Sequence, residues 1–397
     1  MTSLGKFHEG VIIVKRTTIV VFTLFLLLTT LTFTGFIMLK SENEEVAFII
    51  NMSVTYYNNG IENWAFTEED RTISLFMNNT WQTIQLLNHS YNLENTTFDE
   101  DGNPIAVLQF PESQLNLGEN ISYRITYHAL SKPRLLPDIR KEDSSTLDDI
   151  PKELKESYCG EGGTWLVNDP ELQDLAQNIV GNETRVLALV ENFVEWIRQN
   201  IDYPAQKHEV PLYPNETYAR LEGDCDDQAI LLITLCRIYK IPAYLQIGCI
   251  YDPSSFDNST YWNDHLRSIS KRIGWHGWAM VYVPPWGWLP VDLTYVVGGS
   301  ADPLNAIKKA AVTSRNVLQY MNVNQTDYVA SSRRYRDFLE DNNFYVYTEE
   351  EMLKASPTDH EEFTLEWLFS LILFITIIVV VIVTAGIFLT IRSKKRG

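Results

Sequence analysis

The chain has 397 residues, enough for more than one folded unit at roughly 100 to 200 residues per domain, and its 4 cysteines are too few for a disulfide-stapled scaffold. Lys and Arg total 32 against 51 Asp and Glu; the net charge of -19 excludes nucleic acid as a partner, because phosphate neutralisation needs a basic surface. That charge is uneven: Lys6, Lys15, Arg16 and, at the other end, Arg392, Lys394, Lys395 and Arg396 are basic, and the negative excess falls between them.

After a short basic segment (1–16), residues 17–39 run 23 positions without a charge. At about 1.5 Å per residue this exceeds a hydrocarbon core of roughly 30 Å. The run is longer than the apolar part of a signal peptide, and Phe36-Ile-Met-Leu39 has no small-x-small cleavage pattern, so an uncleaved anchor is expected. From residue 41 to about 130 the chain reads as short strands at 47–57, 72–77, 83–87, 105–110 and 121–127, punctuated by Tyr57-Asn-Asn-Gly60 and Asp99-Glu-Asp-Gly-Asn103. This spacing predicts an antiparallel β-sandwich. Asp99, Asp101 and Asn103 lack the glycine position and the twelfth-position Glu of a calcium loop and read as a solvated hairpin. The stretch 131–149, rich in Pro, Lys, Asp and Ser, reads as a linker.

Helical signals follow. Asp169-Pro170-Glu171 provides an N-cap, a proline at the first helical position and an acid in the first turn, opening a helix to about Val180. A second helix is expected over 183–200, where Val186, Leu187, Val190, Phe193, Val194 and Ile197 form an apolar stripe. Gly223-Asp-Cys-Asp-Asp-Gln228 then leads into an apolar helix at 229–239. Strands are expected at 241–251, 276–283 and 288–291, the last two flanking Pro284-Pro-Trp-Gly287. Helices followed by an antiparallel sheet make an α+β fold.

Cys225 sits where loop becomes helix. Unpaired N–H groups and the positive end of the helix dipole favour a thiolate there, provided Asp224 serves as N-cap and Asp227 as its capping-box partner, so that neither carboxylate faces the sulfur. The bland reading is a small buried hydrophobe, against which the polar neighbours on both sides speak. His276 and Asp292 are symmetric about Pro284, so a hairpin register without a bulge puts imidazole and carboxylate on one sheet face. Asp292 could then hold one ring nitrogen while the other accepts the Cys225 proton. Cys225, His276 and Asp292 could instead ligate zinc, but no close-spaced ligand pair exists, and neither metal nor cofactor is expected.

These residues resemble the three motif blocks of the transglutaminase-like superfamily: Gly223-Asp-Cys-Asp-Asp-Gln-Ala229 with Ile241-Pro-Ala243, then His276-Gly-Trp-Ala279, then Gly287-Trp-Leu-Pro-Val-Asp-Leu-Thr294. The resemblance covers about 150–298, and the region before it is similar to the N-terminal β-domain of membrane-anchored microbial, especially archaeal, members. It implies a papain-like core with Cys225 as nucleophile, His276 as general base and acid, and Asp292 as the orienting residue. Met280 and Leu293 depart from the family's common Glu and Pro. Of the remaining cysteines, Cys236 is expected in the core and Cys159 could bridge Cys249. The backbone N–H of Cys225 is a natural oxyanion donor, with Tyr203, Gln206 and Trp275 as candidates for a second.

Past residue 298 the pattern weakens. An accessory α/β segment (299–348) with helices at 303–312 and 328–340 and strands at 317–321 and 344–347, an acidic stalk (349–366), a second span of 25 uncharged residues (367–391) and a basic tail (392–397) are expected. Basic residues outside each span put both termini in the cytoplasm and the acidic middle outside. Nine glycosylation sequons, at Asn51, Asn78, Asn88, Asn95, Asn120, Asn182, Asn215, Asn258 and Asn324, all lie between the spans. The expected protein is therefore a two-pass cell-membrane thiol enzyme with an extracellular α+β core acting on peptide or glutamine amides. Hydrolysis is favoured; protein cross-linking and a non-catalytic surface-binding module are the alternatives.

Overall fold

The computed structural model describes residues 45–132, 134–204, 208–295 and 302–355. The expected spans at 17–39 and 367–391 lie outside the described residues, among which no helix is long and apolar enough to cross a membrane. The N-terminal half forms β1 (Val46–Asn58), β2 (Trp64–Ala65), β3 (Thr72–Ser74), β4 (Gln82–His89), β5 (Leu93–Phe98), β6 (Pro104–Leu108), β7 (Gln114–Leu115) and β8 (Asn120–Ser131). Helices follow: α1 (Lys152–Tyr158), α2 (Pro170–Val180), α3 (Val186–Asn200), α4 (Pro214–Arg220) and α5 (Cys225–Ile238). The chain closes with β9 (Ala243–Tyr261), β10 (Leu266–Val283), β11 (Gly287–Val291), α6 (Asn305–Lys308), β12 (Val317–Val323), α7 (Tyr328–Asp341) and β13 (Phe344–Lys354).

One eight-stranded sheet runs β12-β9-β10-β13-β1-β8-β4, with β11 paired to β10. A three-stranded sheet, β3-β6-β5, packs its Ile73 and Leu108 against Phe48, Ile50, Ile125, Tyr127 and Met352 of the large sheet. A separate core joins Leu172, Val190, Phe193, Ile230, Leu231 and Ile233 of the helices to Leu245, Ala279, Val281 and Val291 of the strands. Expected caps form: Asp169 accepts from Glu171 N (2.9 Å) and Leu172 N (3.1 Å), starting α2 at Pro170. The second helix starts at Val186 and not 183, because Glu183 Oε1 accepts the Thr184 and Arg185 N–H groups ahead of it.

The sandwich expected over 41–130 is not a sheet of its own. β13 inserts between β10 and β1, antiparallel to β1 from Phe48↔Lys354 to Asn58↔Phe344 and parallel to β10 from Leu266↔Val346 to Lys271↔Glu351. The described residues up to Lys354 accordingly form one compact unit. Glu349, Glu350 and Glu351 therefore belong to a strand and not to a stalk. Glu349 pairs with Lys271 (2.5 Å), Glu351 with Arg272, and Glu350 Oε2 accepts Trp275 Nε1–H at 2.6 Å. An acidic run reads as solvated only while its basic partners, some 80 residues away in sequence, are unknown.

Other expectations change for the same reason. The Asp99–Asn103 loop is docked, not solvated: Asn103 is buried, and the Asp101 carboxylate accepts the N–H groups of Asn324 (3.1 Å), Gln325 (2.6 Å) and Thr326 (3.2 Å). The 131–149 linker contributes buried Ile139, and Ser145 N donates to Pro284 O at 3.1 Å. Only Asn305–Lys308 of the expected 303–312 helix is α-helical. Cys159 and Cys249 are free, and Cys249 lies in the core between the two sheets, apart from the helical core. In the last turn of α5, Arg237 is 2% exposed. It donates to Ala243 O (2.9 Å) and Asn324 Oδ1 (2.7 Å) and lies 4.2 Å above the Trp165 ring; burial pulls its pKa down to about 9.

Because the core between the sheets is shared by both halves, Phe48→Ala is expected to destabilise the whole protein by about 3 to 5 kcal/mol, unfolding N-terminal and helical halves in one transition. Urea denaturation followed by tryptophan fluorescence and far-UV circular dichroism checks this; separate transitions would contradict the shared core.

Candidate active site

The β10–β11 hairpin pairs Ala279 with Val291 and Val283 with Gly287. Asp292 follows the last paired residue, on the diagonal to His276, as the hairpin argument requires. His276 Nε2 lies 2.9 Å from Asp292 Oδ2, and both residues are buried. The carboxylate accepts, so Nε2 is the donor in this contact and Nδ1 is the ring nitrogen left for other partners. Three further donors fix Asp292: Ala311 N to Oδ2 (2.9 Å), and Tyr295 N (3.1 Å) and Thr294 N (3.3 Å) to Oδ1.

Cys225 is the first residue of α5. Gly277, the neighbour of His276, meets that helix end so closely that a Cβ there would stand 3.0 Å from Asp226 Cβ. Its backbone N–H reaches the Cys225 sulfur. The helix end is held by Asp227, whose Oδ2 accepts Asp224 N (3.2 Å) and meets His208 Nδ1 (2.8 Å), while Oδ1 accepts Leu212 N (2.7 Å). His208 Nε2 also lies 3.4 Å from Glu222.

The electrostatics differ from the expected thiolate. Burial, then Asp226 and Asp224, push the Cys225 thiol well above its ordinary value, outweighing the N–H groups of Gly277 and Asp226. Asp226 Oδ1 is 3.8 Å from the sulfur, and Asp224 Oδ1 is buried without a hydrogen-bond partner. Asp224 and Asp227 form the expected capping box, yet the Asp224 and Asp226 carboxylates still lie beside the thiol. The Asp226 carboxyl is itself raised, by burial and by Asp224, and the Tyr328 hydroxyl hydrogen-bonds to it. The donor atoms of Asp224, Cys225 and Asp226 lie within 4.8 Å of one another, a spacing a cation could bridge, but all three come from one helical turn.

A cleft of about 680 Å³ is lined by Arg198, Tyr203, Gln228, His276, Leu293 and Tyr295, among others. Cys225 is half-buried and not among these lining side chains. Of the oxyanion candidates, Tyr203 is half-exposed in the cleft, and its hydroxyl pKa is raised by burial and then by Cys225. Trp275 points away: strand alternation sends it to the inter-sheet core, where it stacks on Phe76 and donates to Glu350. Gln206 lies outside the described residues. Ala311 and Tyr328, which sequence reasoning assigned to an accessory segment, belong to the site; the boundary at 298 cut through it.

Residues 173–293 match the model of the transglutaminase-like superfamily and form a transglutaminase-like domain. A crystal structure from Cytophaga hutchinsonii, described provisionally as a cysteine protease, is similar at a TM-score of 0.50 and 14% identity, over 79% of this chain and 92% of that one. The periplasmic domain of TgpA from Pseudomonas aeruginosa is 14% identical over 68% of this chain and 93% of its own, at a TM-score of 0.30. No curated protein matches the sequence. At such identity the first likeness establishes a shared fold and not an activity.

Removing the negative charge nearest the sulfur lowers the cost of forming thiolate. Asp226→Asn is therefore expected to move the midpoint of Cys225 alkylation by iodoacetamide to lower pH, measured as rate against pH. An unmoved or higher midpoint would contradict the assigned electrostatics.

Proposed function

We propose that this chain, with its transglutaminase-like domain at 173–293, is a membrane-tethered thiol hydrolase of peptide or glutamine amides. The observation that carries the reading is the buried His276–Asp292 pair, 2.9 Å apart, one residue from Gly277, which packs against the helix end that carries Cys225. Because burial and the neighbouring carboxylates hold the thiol above its ordinary range, attack and deprotonation are coupled. His276 Nδ1 takes the Cys225 proton as sulfur bonds to the amide carbon, and the imidazolium is held by Asp292. Backbone N–H of Cys225 and the Tyr203 hydroxyl are the groups available for the developing oxyanion. His276 then returns the proton to the leaving amine as the C–N bond breaks, giving a thioester. Water, deprotonated by His276, attacks the thioester, releasing a carboxylic acid and restoring the thiol.

An amine in place of water would make the same site a cross-linker. A half-buried, upward-shifted thiol outside the cleft lining favours a different reading, a surface module that binds peptide without turnover. The location rests on sequence: basic residues outside both apolar runs and sequons between them. The Asn324 sequon is weak support, since its side chain bonds Arg237 and Ser157 O.

Cys225→Ala is expected to reduce turnover of a peptide-amide library to background, and Asp292→Asn to lower kcat about a thousandfold with KM little changed. Product release measured by mass spectrometry checks both; unchanged turnover in Cys225→Ala would end the thiol-enzyme reading. Protease added to intact cells is expected to remove the folded domain, and complete protection would reverse the orientation.

A further inference from the structure

The cleft beside His276 has a charge pattern opposite to that of the chain. The chain carries 51 Asp and Glu against 32 Lys and Arg, yet the described lining of the cleft contains no carboxylate side chain. Its one permanent charge is Arg198, near the C-terminal end of α3. Among the described residues that guanidinium has one weak partner. Its contact with Glu195 Oε2 is 3.5 Å, the outer limit for a hydrogen bond, and Glu195 also accepts Gln199 Nε2 at 2.5 Å. The Arg198 side chain keeps 28% of its surface exposed, so donors remain open to a ligand. The same lining carries an aromatic wall, with Tyr203 51% and Tyr295 40% exposed. Tyr295 also approaches the catalytic ring, its centroid 6.0 Å from that of His276.

We propose that Arg198 is a specificity-determining residue that selects substrates bearing a carboxylate, held by the guanidinium while the aromatic wall covers the adjoining apolar part. This rests on the thiol-enzyme reading of the same site. A planar guanidinium engages a carboxylate through two parallel N–H bonds, which a neutral amide cannot match. The carboxylate belongs either to an acidic side chain of the peptide or to its free C-terminus. The surrounding negative charge of the protein repels such a substrate at long range and is screened by salt, whereas the close contact with Arg198 is screened less. Binding selectivity is therefore expected to persist at physiological ionic strength.

The test uses the full-length Cys225→Ala protein, which binds without turnover, and four fluorescent hexapeptides. Three have blocked ends and a central Glu, Gln or Lys; the fourth has the Gln sequence with a free C-terminal carboxylate. The Glu peptide, the free-carboxylate peptide or both are expected to bind about tenfold more tightly than the blocked Gln peptide. The one that gains identifies the source of the carboxylate. Arg198→Ala in the same background should abolish the gain, and Arg198→Glu should transfer it to the Lys peptide. Equal binding of all four, no binding of any, or a gain that survives Arg198→Glu overturns the proposal. Selective binding in Cys225→Ala together with no peptide cleavage by the wild-type protein removes the hydrolytic reading and leaves the recognition intact.

Discussion

A buried carboxylate must have its lone pairs satisfied, and the way Asp292 meets that demand organises the whole site. One oxygen takes His276 and the Ala311 N–H; the other takes the Thr294 and Tyr295 N–H groups. Asp292 therefore fixes the imidazole tautomer, the end of β11 and the position of the 302–313 segment together, and its own N–H donates to Ala306 O at 2.9 Å. Removing any of these donors would leave a charge buried with fewer partners. The orientation of His276 is thus a property of the fold around Asp292 and not of the ring alone.

The second constraint is the return of the chain through β13 into the middle of the large sheet. A strand placed between β10 and β1 joins the N-terminal strands to the hairpin that carries His276. The arginine and lysine of β10 offset the acidic residues of β13, which makes an otherwise repulsive acidic strand compatible with an internal position. The partners are half-exposed, so specificity of register is a larger part of their contribution than energy. The same return brings Tyr328 of α7 to Asp226, linking the last helix to the nucleophile's neighbour.

Local chemistry was legible in the sequence. The Asp169 cap with Pro170, the apolar stripe of α3, the loop-to-helix position of Cys225 and the hairpin parity of His276 and Asp292 depend on residues a few positions apart, or on a symmetric turn. What depended on distant pairing was not legible. Glu349–Glu351 read as a spacer because Lys271, Arg272 and Trp275 could not be placed opposite them, and Asp101 read as solvated because its donors lie at 324–326. The state of the Cys225 thiol is hidden in the sequence for a related reason. Helix-end N–H groups are visible in sequence, but burial and the direction of the Asp224 and Asp226 side chains are not, and these prevail.

The central claim is that Cys225 is acylated through His276. Its most direct test is to mix the protein with an activated acyl ester, quench in acid and locate the added mass by peptide mapping. The account predicts one acyl group on Cys225, released by hydroxylamine at neutral pH as a thioester is, and formed at a rate at least a hundredfold lower, in order of magnitude, in His276→Ala. Acylation at other residues, or acylation of Cys225 at the same rate without His276, would contradict it.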